Sequence, residues 1–106
     1  EKRRRTYQPL GPVELECTCV SDEEAVFRPA VYRVSGCRPL GDSGLQLQGV
    51  SEVVTMIGRQ RDLVRPGETM RARGVLEQVF EGDEAAHLRV VVGSALPGEY
   101  LDWVDP

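Results

Sequence analysis

The sequence predicts an all-β domain, a small barrel of five to six strands. Three observations carry this. Apolar and polar residues alternate with a period of two over short runs. Glycine and proline punctuate those runs at close intervals. Only residues 58–64 (GRQRDLV) admit a helical turn, and that stretch is too short to hold a helix by itself.

Val13, Leu15, Cys17 and Cys19 alternate with Glu14, Glu16 and Thr18, which describes a strand with one buried face. The polar run Ser21, Asp22, Glu23 and Glu24 reads as a turn. Residues 25–27 continue in extended form until Pro29 interrupts them. Residues 30–35 (AVYRVS) form a second strand, closed by Gly36 and the Arg38–Pro39 pair. Residues 41–44 (GDSG) turn the chain. Residues 45–48 (LQLQ) alternate cleanly and begin a third strand, with Gly49 as a bend or bulge. Residues 53–57 (VVTMI) are the next apolar run. Pro66–Gly67 is a strong turn signal.

Residues 69–80 then read as a strand, with Met70 and Ala72 on one side and Arg71 and Arg73 on the other. Gly74 breaks the phase, and Val75, Leu76 and Val79 resume the apolar side. Residues 81–84 (EGDE) make a hairpin loop, and residues 87–93 (HLRVVVG) return. After Pro97–Gly98, the segment holding Tyr100, Leu101, Trp103 and Val104 is an edge strand or a lid over a barrel end. Glycines within strands suit the sharp coiling of a small closed sheet. An oligonucleotide-binding-like (OB-like) barrel is the first expectation, with a β-sandwich as the alternative.

At 106 residues the chain holds one domain with a core. Residues 1–5 (EKRRR) read as a linker remnant of a longer protein and residues 6–106 as the single β-barrel domain. The composition is 41% hydrophobic and 28% charged, ordinary for a globular protein. No apolar run approaches the roughly 20 residues that span a bilayer, so no membrane role is expected. No signal-peptide pattern is visible. Three cysteines make no disulfide framework; Cys17, Cys19 and Cys37 are expected as small buried hydrophobes in a reducing cytoplasm.

The chemistry of catalysis is hard to find. His87 is the sole histidine and has no serine or cysteine placed by a motif beside it. Asp22, Glu23 and Glu24 lack the spacing of a calcium loop. Gly93–Ser94 followed by Asp102 and Asp105 has the wrong spacing and context for a nucleotidyl-transfer signature. No catalytic residue, metal ligand or cofactor is therefore assigned.

What stands out is arginine: twelve, against one lysine. The guanidinium fork suits phosphate and carboxylate alike. Arg71 and Arg73 share a strand face, Arg65 sits on the preceding turn, and Arg59 and Arg61 lie just before it. Together they could form a local positive field in a chain of net charge −4. The opposing reading is a neutralised surface, because Glu68, Glu77, Glu81, Asp83 and Glu84 occupy the same hairpin. Nucleic-acid barrels also present aromatic platforms; Phe27, Tyr32, Phe80, Tyr100 and Trp103 are the candidates here, and most of them are expected to fill the core of so small a barrel.

Residues 6–34 (TYQPLGPVELECTCVSDEEAVFRPAVYRV), 64–79 (VRPGETMRARGVLEQV) and 88–104 (LRVVVGSALPGEYLDWV) together resemble the C-terminal β-domain of predicted archaeal nucleotidyltransferases. In that family a catalytic domain of the polymerase-β-like superfamily precedes this region. The resemblance implies a noncatalytic accessory role, with divalent metal held by the upstream domain and no cofactor in this chain. The grouping of the arginines on a barrel-like pattern motivates the expectation that Arg59, Arg61, Arg65, Arg71 and Arg73 meet the phosphates of an RNA, DNA or nucleotide substrate, with Tyr32 or Trp103 stacking a base. The alternative is a structural module whose segment 100–104 docks the catalytic domain or a second copy.

Overall fold

Strands built from period-two alternation must bury one face, and here they do so by closing on themselves. The computed structural model describes residues 4–25, 29–41, 44–57, 63–93 and 98–104. The strands are β1 (Arg5–Glu24), β2 (Ala30–Pro39), β3 (Val50–Thr55), β4 (Thr69–Glu81), β5 (Glu84–Val92) and β6 (Tyr100–Val104). They run in the order β1-β2-β3-β5-β4, and β4 pairs back onto β1, so five strands close a ring. Every pairing is antiparallel except β3 with β5, which is parallel. This is the OB-like arrangement, and a single closed sheet replaces the two facing sheets of the sandwich alternative. β6 stands outside the ring, paired with β4. Among the described residues no helix is long and apolar enough to cross a membrane.

β1 is longer than its alternation suggests. It takes in the prolines at 9 and 12 and the polar run at 21–24 that reads as a turn. A strand that serves β4 along one edge and β2 along the other must coil sharply. Register shifts between Pro9 and Gly11 against β4, and after Glu16, Cys19 and Ser21 against β2, supply that coiling. Conversely, residues 45–48 alternate but form no strand. Gly49, at φ 93°, and the Val50 N–H bonded to Leu47 O at 3.1 Å turn the chain just before β3.

The ring interior is filled by Leu15, Cys17, Cys19, Tyr32, Val53, Met70, Ala72, Leu76, Val90, Val92 and Leu101, all essentially inaccessible. Each large side chain buried there contributes about 2 kcal/mol of hydrophobic stabilisation. The Pro66–Gly67 turn is pinned to β1 by two backbone bonds, Cys19 N–H to Glu68 O and Gly67 N–H to Cys19 O, both 2.8 Å. Gly74 marks a branch. Before it, β4 pairs with β6 (Arg73 with Tyr100); after it, with β5 (Val75 with Val91). A side chain at 74 would meet the Val91 carbonyl oxygen at 2.2 Å. Glycine lets the β5 backbone come that close.

Candidate functional site

Four strands, β2, β1, β4 and β6, present their outward residues as one face. Alternation puts Glu14, Glu16, Arg71, Arg73, Tyr100 and Asp102 on it, because their neighbours Leu15, Ala72 and Leu101 point inward. Pairing then orders them into two rows: Arg38, Glu16, Arg71 and Asp102, and beside it Glu14, Arg73 and Tyr100.

The first row is an ion-pair ladder. Arg71 Nε donates to Glu16 Oε1 at 2.9 Å, and Arg38 Nε donates to Glu16 Oε2 at 2.9 Å. Arg38 Nη2 also contacts that carboxylate. Glu16 is 14% exposed beneath arginines that are 62% and 49% exposed. The Arg38 and Arg71 guanidiniums hold its carboxyl below the ordinary glutamate value, and Glu16 in turn raises Arg71. In the second row the Tyr100 hydroxyl donates to Glu14 Oε2. Partial burial, and then that carboxylate, push the Tyr100 phenol up to about 12.

The arginines singled out from the sequence therefore separate. Arg71 spends its charge on Glu16. Arg65 lies 3.7 Å from Asp22 Oδ2, and its N–H donates to Glu68 Oε1 at 2.7 Å, closing the turn. Arg73 is exposed and forms no ion pair among the described residues. Arg59 and Arg61 lie outside the described residues. Tyr32 is not a stacking platform: its ring is wholly buried in the core, and its hydroxyl accepts from Leu63 N–H at 2.7 Å. A barrel this narrow needs a large side chain at its centre, and Tyr32 supplies it. Trp103 is 44% exposed, beside a cleft of about 120 Å³ lined by Gly67, Glu68, Thr69 and Val104.

The far end of the ring carries carboxylates, part of them paired. The β4–β5 hairpin carries Glu81, Asp83 and Glu84 at its tip. Behind it Glu77 binds Arg89 at 2.8 Å and Glu52 meets His87 Nε2 at 2.8 Å. In OB-like barrels the β4–β5 loop is one of the two that hold oligonucleotides, and here Glu81 of that loop is paired with Arg5 at 3.3 Å. Among the described residues no three His, Cys, Asp or Glu side chains gather as a metal site.

Sequence reasoning missed Glu16 as the hub of the ladder and the Glu52–His87 and Glu77–Arg89 pairs. Their partners lie 12 to 55 residues apart, and only strand register brings them together. In comparisons with family models, curated proteins and solved structures, nothing matches this chain.

Proposed function

We propose that this chain is a noncatalytic interaction module whose β6 edge takes a strand from a partner polypeptide, with Trp103 as the anchor. The observation that carries this is that β6, among the described residues, pairs on one side only, with residues 69–73 of β4. An unpaired strand edge is a row of free donors and acceptors, and adding a strand there is a common mode of recognition. The half-exposed Trp103 beside its cleft supplies the side-chain pocket that such an edge needs for specificity. Another open edge, residues 5–13 of β1, is poorly suited, because Pro9 and Pro12 have no N–H to offer.

The partner we favour is the nucleotidyltransferase catalytic domain that the sequence resemblance implies upstream. Hydrogen exchange tests this on the 106-residue chain and on a longer polypeptide that includes that domain. Slower exchange at the β6 amides in the longer polypeptide, reversed by Trp103→Ala, supports docking. Equal exchange in both overturns it. A dimer of the short chain by light scattering, lost in Trp103→Ala, would replace it with self-association.

A phosphate-facing role is the second reading, and exposed Arg73 favours it. Filter binding of labelled RNA and DNA across a salt series decides it. Binding at low salt that Arg73→Ala weakens would support substrate positioning. Absence of binding at low salt removes it.

A further inference from the structure

The core contains a feature that the docking surface does not use. Glu16 pairs with Arg38 and Thr18 with Ser35, so β1 has one residue between these rungs and β2 has two. The extra residue is accommodated by Gly36 at φ 62°, and the bulge places Gly36 and Cys37 together opposite Cys17. The Cys37 side chain packs against the core cluster that holds Cys17. The Cys37 thiol also donates to Val50 O at 3.7 Å. Neighbours across a strand pair have Cα atoms about 4.5–5.5 Å apart, inside the roughly 4.4–6.8 Å that a disulfide spans.

The two sulfurs differ in access. Cys17 is buried within the ring, as is Cys19 two residues on. Cys37 is half-buried and lines an open groove of about 450 Å³, walled by Gly36, Pro39, Leu45, Leu47 and Val50. A small oxidant can reach one thiol of the pair, and the other waits behind it.

We propose that Cys17 and Cys37 form a reversible dithiol–disulfide site, with Cys37 the attacking thiol, Cys17 the resolving thiol and hydrogen peroxide the oxidant. In the first step the Cys37 sulfur bonds to one peroxide oxygen, the O–O bond breaks, and water leaves with the thiol proton. The product is a sulfenic acid on Cys37. In the second step the Cys17 sulfur bonds to the Cys37 sulfur, the S–O bond breaks, and a second water leaves with the Cys17 proton. Two thiols lose two electrons and two protons, and peroxide becomes two waters. The neighbouring Cys17 thiol lowers the Cys37 pKa against the opposing effect of burial, while Cys37 and burial push Cys17 up. Oxidation also removes the S–H that Cys37 offers Val50 O, so the groove wall loses a tie.

The test uses the reduced chain exposed to hydrogen peroxide, followed by thiol counting in denaturant and peptide mapping by mass spectrometry. The expected result is loss of two of the three thiols, a Cys17–Cys37 linked peptide, and recovery of both thiols with dithiothreitol. Cys19→Ala should behave as the natural chain does. Cys17→Ala, checked as folded by circular dichroism, should instead stop at a Cys37 sulfenic acid that dimedone traps. Overoxidation of Cys37 in the natural chain without a crosslink overturns the proposal. So does a disulfide that joins Cys37 to Cys19 or to a second molecule.

Discussion

The Arg89 guanidinium lies 3.8 Å from the centre of the Tyr7 ring, stacked on an aromatic that is otherwise exposed. The same side chain donates from Nε to Glu77 at 2.8 Å, and both partners of that pair are less than one-fifth exposed. One arginine therefore joins β1, β4 and β5 on the outer face. Arg89→Ala should lower stability by about 1–3 kcal/mol, since it removes a cation–π contact and leaves a shielded carboxylate without its partner. Arg89→Lys should recover only part, because lysine lacks the planar fork. Urea unfolding curves measure both.

Gly74 is the most intolerant position in β4. Gly74→Ala puts a methyl 2.2 Å from the Val91 carbonyl oxygen, which is backbone and cannot rotate away. We expect a loss of at least about 2 kcal/mol, because one of the two ladders meeting there must shift. Thermal unfolding followed by circular dichroism measures it. A loss under half that would mean that β5 can move.

Tyr32→Phe keeps the ring that fills the core and removes the oxygen that accepts from Leu63 N–H. The expected cost is about 1 kcal/mol, the usual consequence of leaving one amide without its acceptor. Amide exchange at Leu63 should speed up in the variant while exchange in β4 changes little.

The Glu16 ladder predicts a pH dependence with a definite sign. The folded chain holds the Glu16 carboxyl below its ordinary value, so the unfolded chain takes up the proton first as the solution is acidified. The stabilisation is complete above the ordinary carboxylate range, roughly pH 4–5, and is lost as pH falls through the folded value. Urea unfolding from pH 7 to pH 3 should show the natural chain converging on Glu16→Gln at the acid end. Added salt should shrink the difference at pH 7, since both arginines face solvent.

Local signals explain which parts of this fold could be read in the sequence. The alternation from Val13 to Cys19 and from Met70 to Arg73 identifies strands and their buried faces, because period and burial follow from one chain direction. The Pro66–Gly67 turn is equally local. Gly74 is visible as a break in phase, but its cause, the backbone of Val91, lies on another strand. Residues 45–48 show the opposite failure: alternation without a strand, where Gly49 turns the chain before pairing is possible. At the site, Arg71 and Arg73 were legible as neighbours. Glu16, which neutralises one and not the other, was not, because it reaches Arg71 only through the β1–β4 register. Tyr32 was misassigned because an aromatic in a short strand looks the same from the sequence whether it faces the core or the solvent.

The β1–β4 ladder runs from Arg5 paired with Glu81 to Thr18 paired with Thr69, and it sets an order of events during synthesis. β1 is made before β2 to β6, yet its long partner is complete only when Glu81 has been added, 76 residues after Arg5. Until Thr69 is made, β1 can pair only with β2, along its second half. The parallel β3–β5 pairing is also nonlocal, so ring closure waits on the last third of the chain. Such long-range pairing places folding in the range of about milliseconds to seconds. The first half of β1, with Tyr7 and Leu10 exposed even in the finished ring, is the segment that a nascent chain has to keep from other strands the longest.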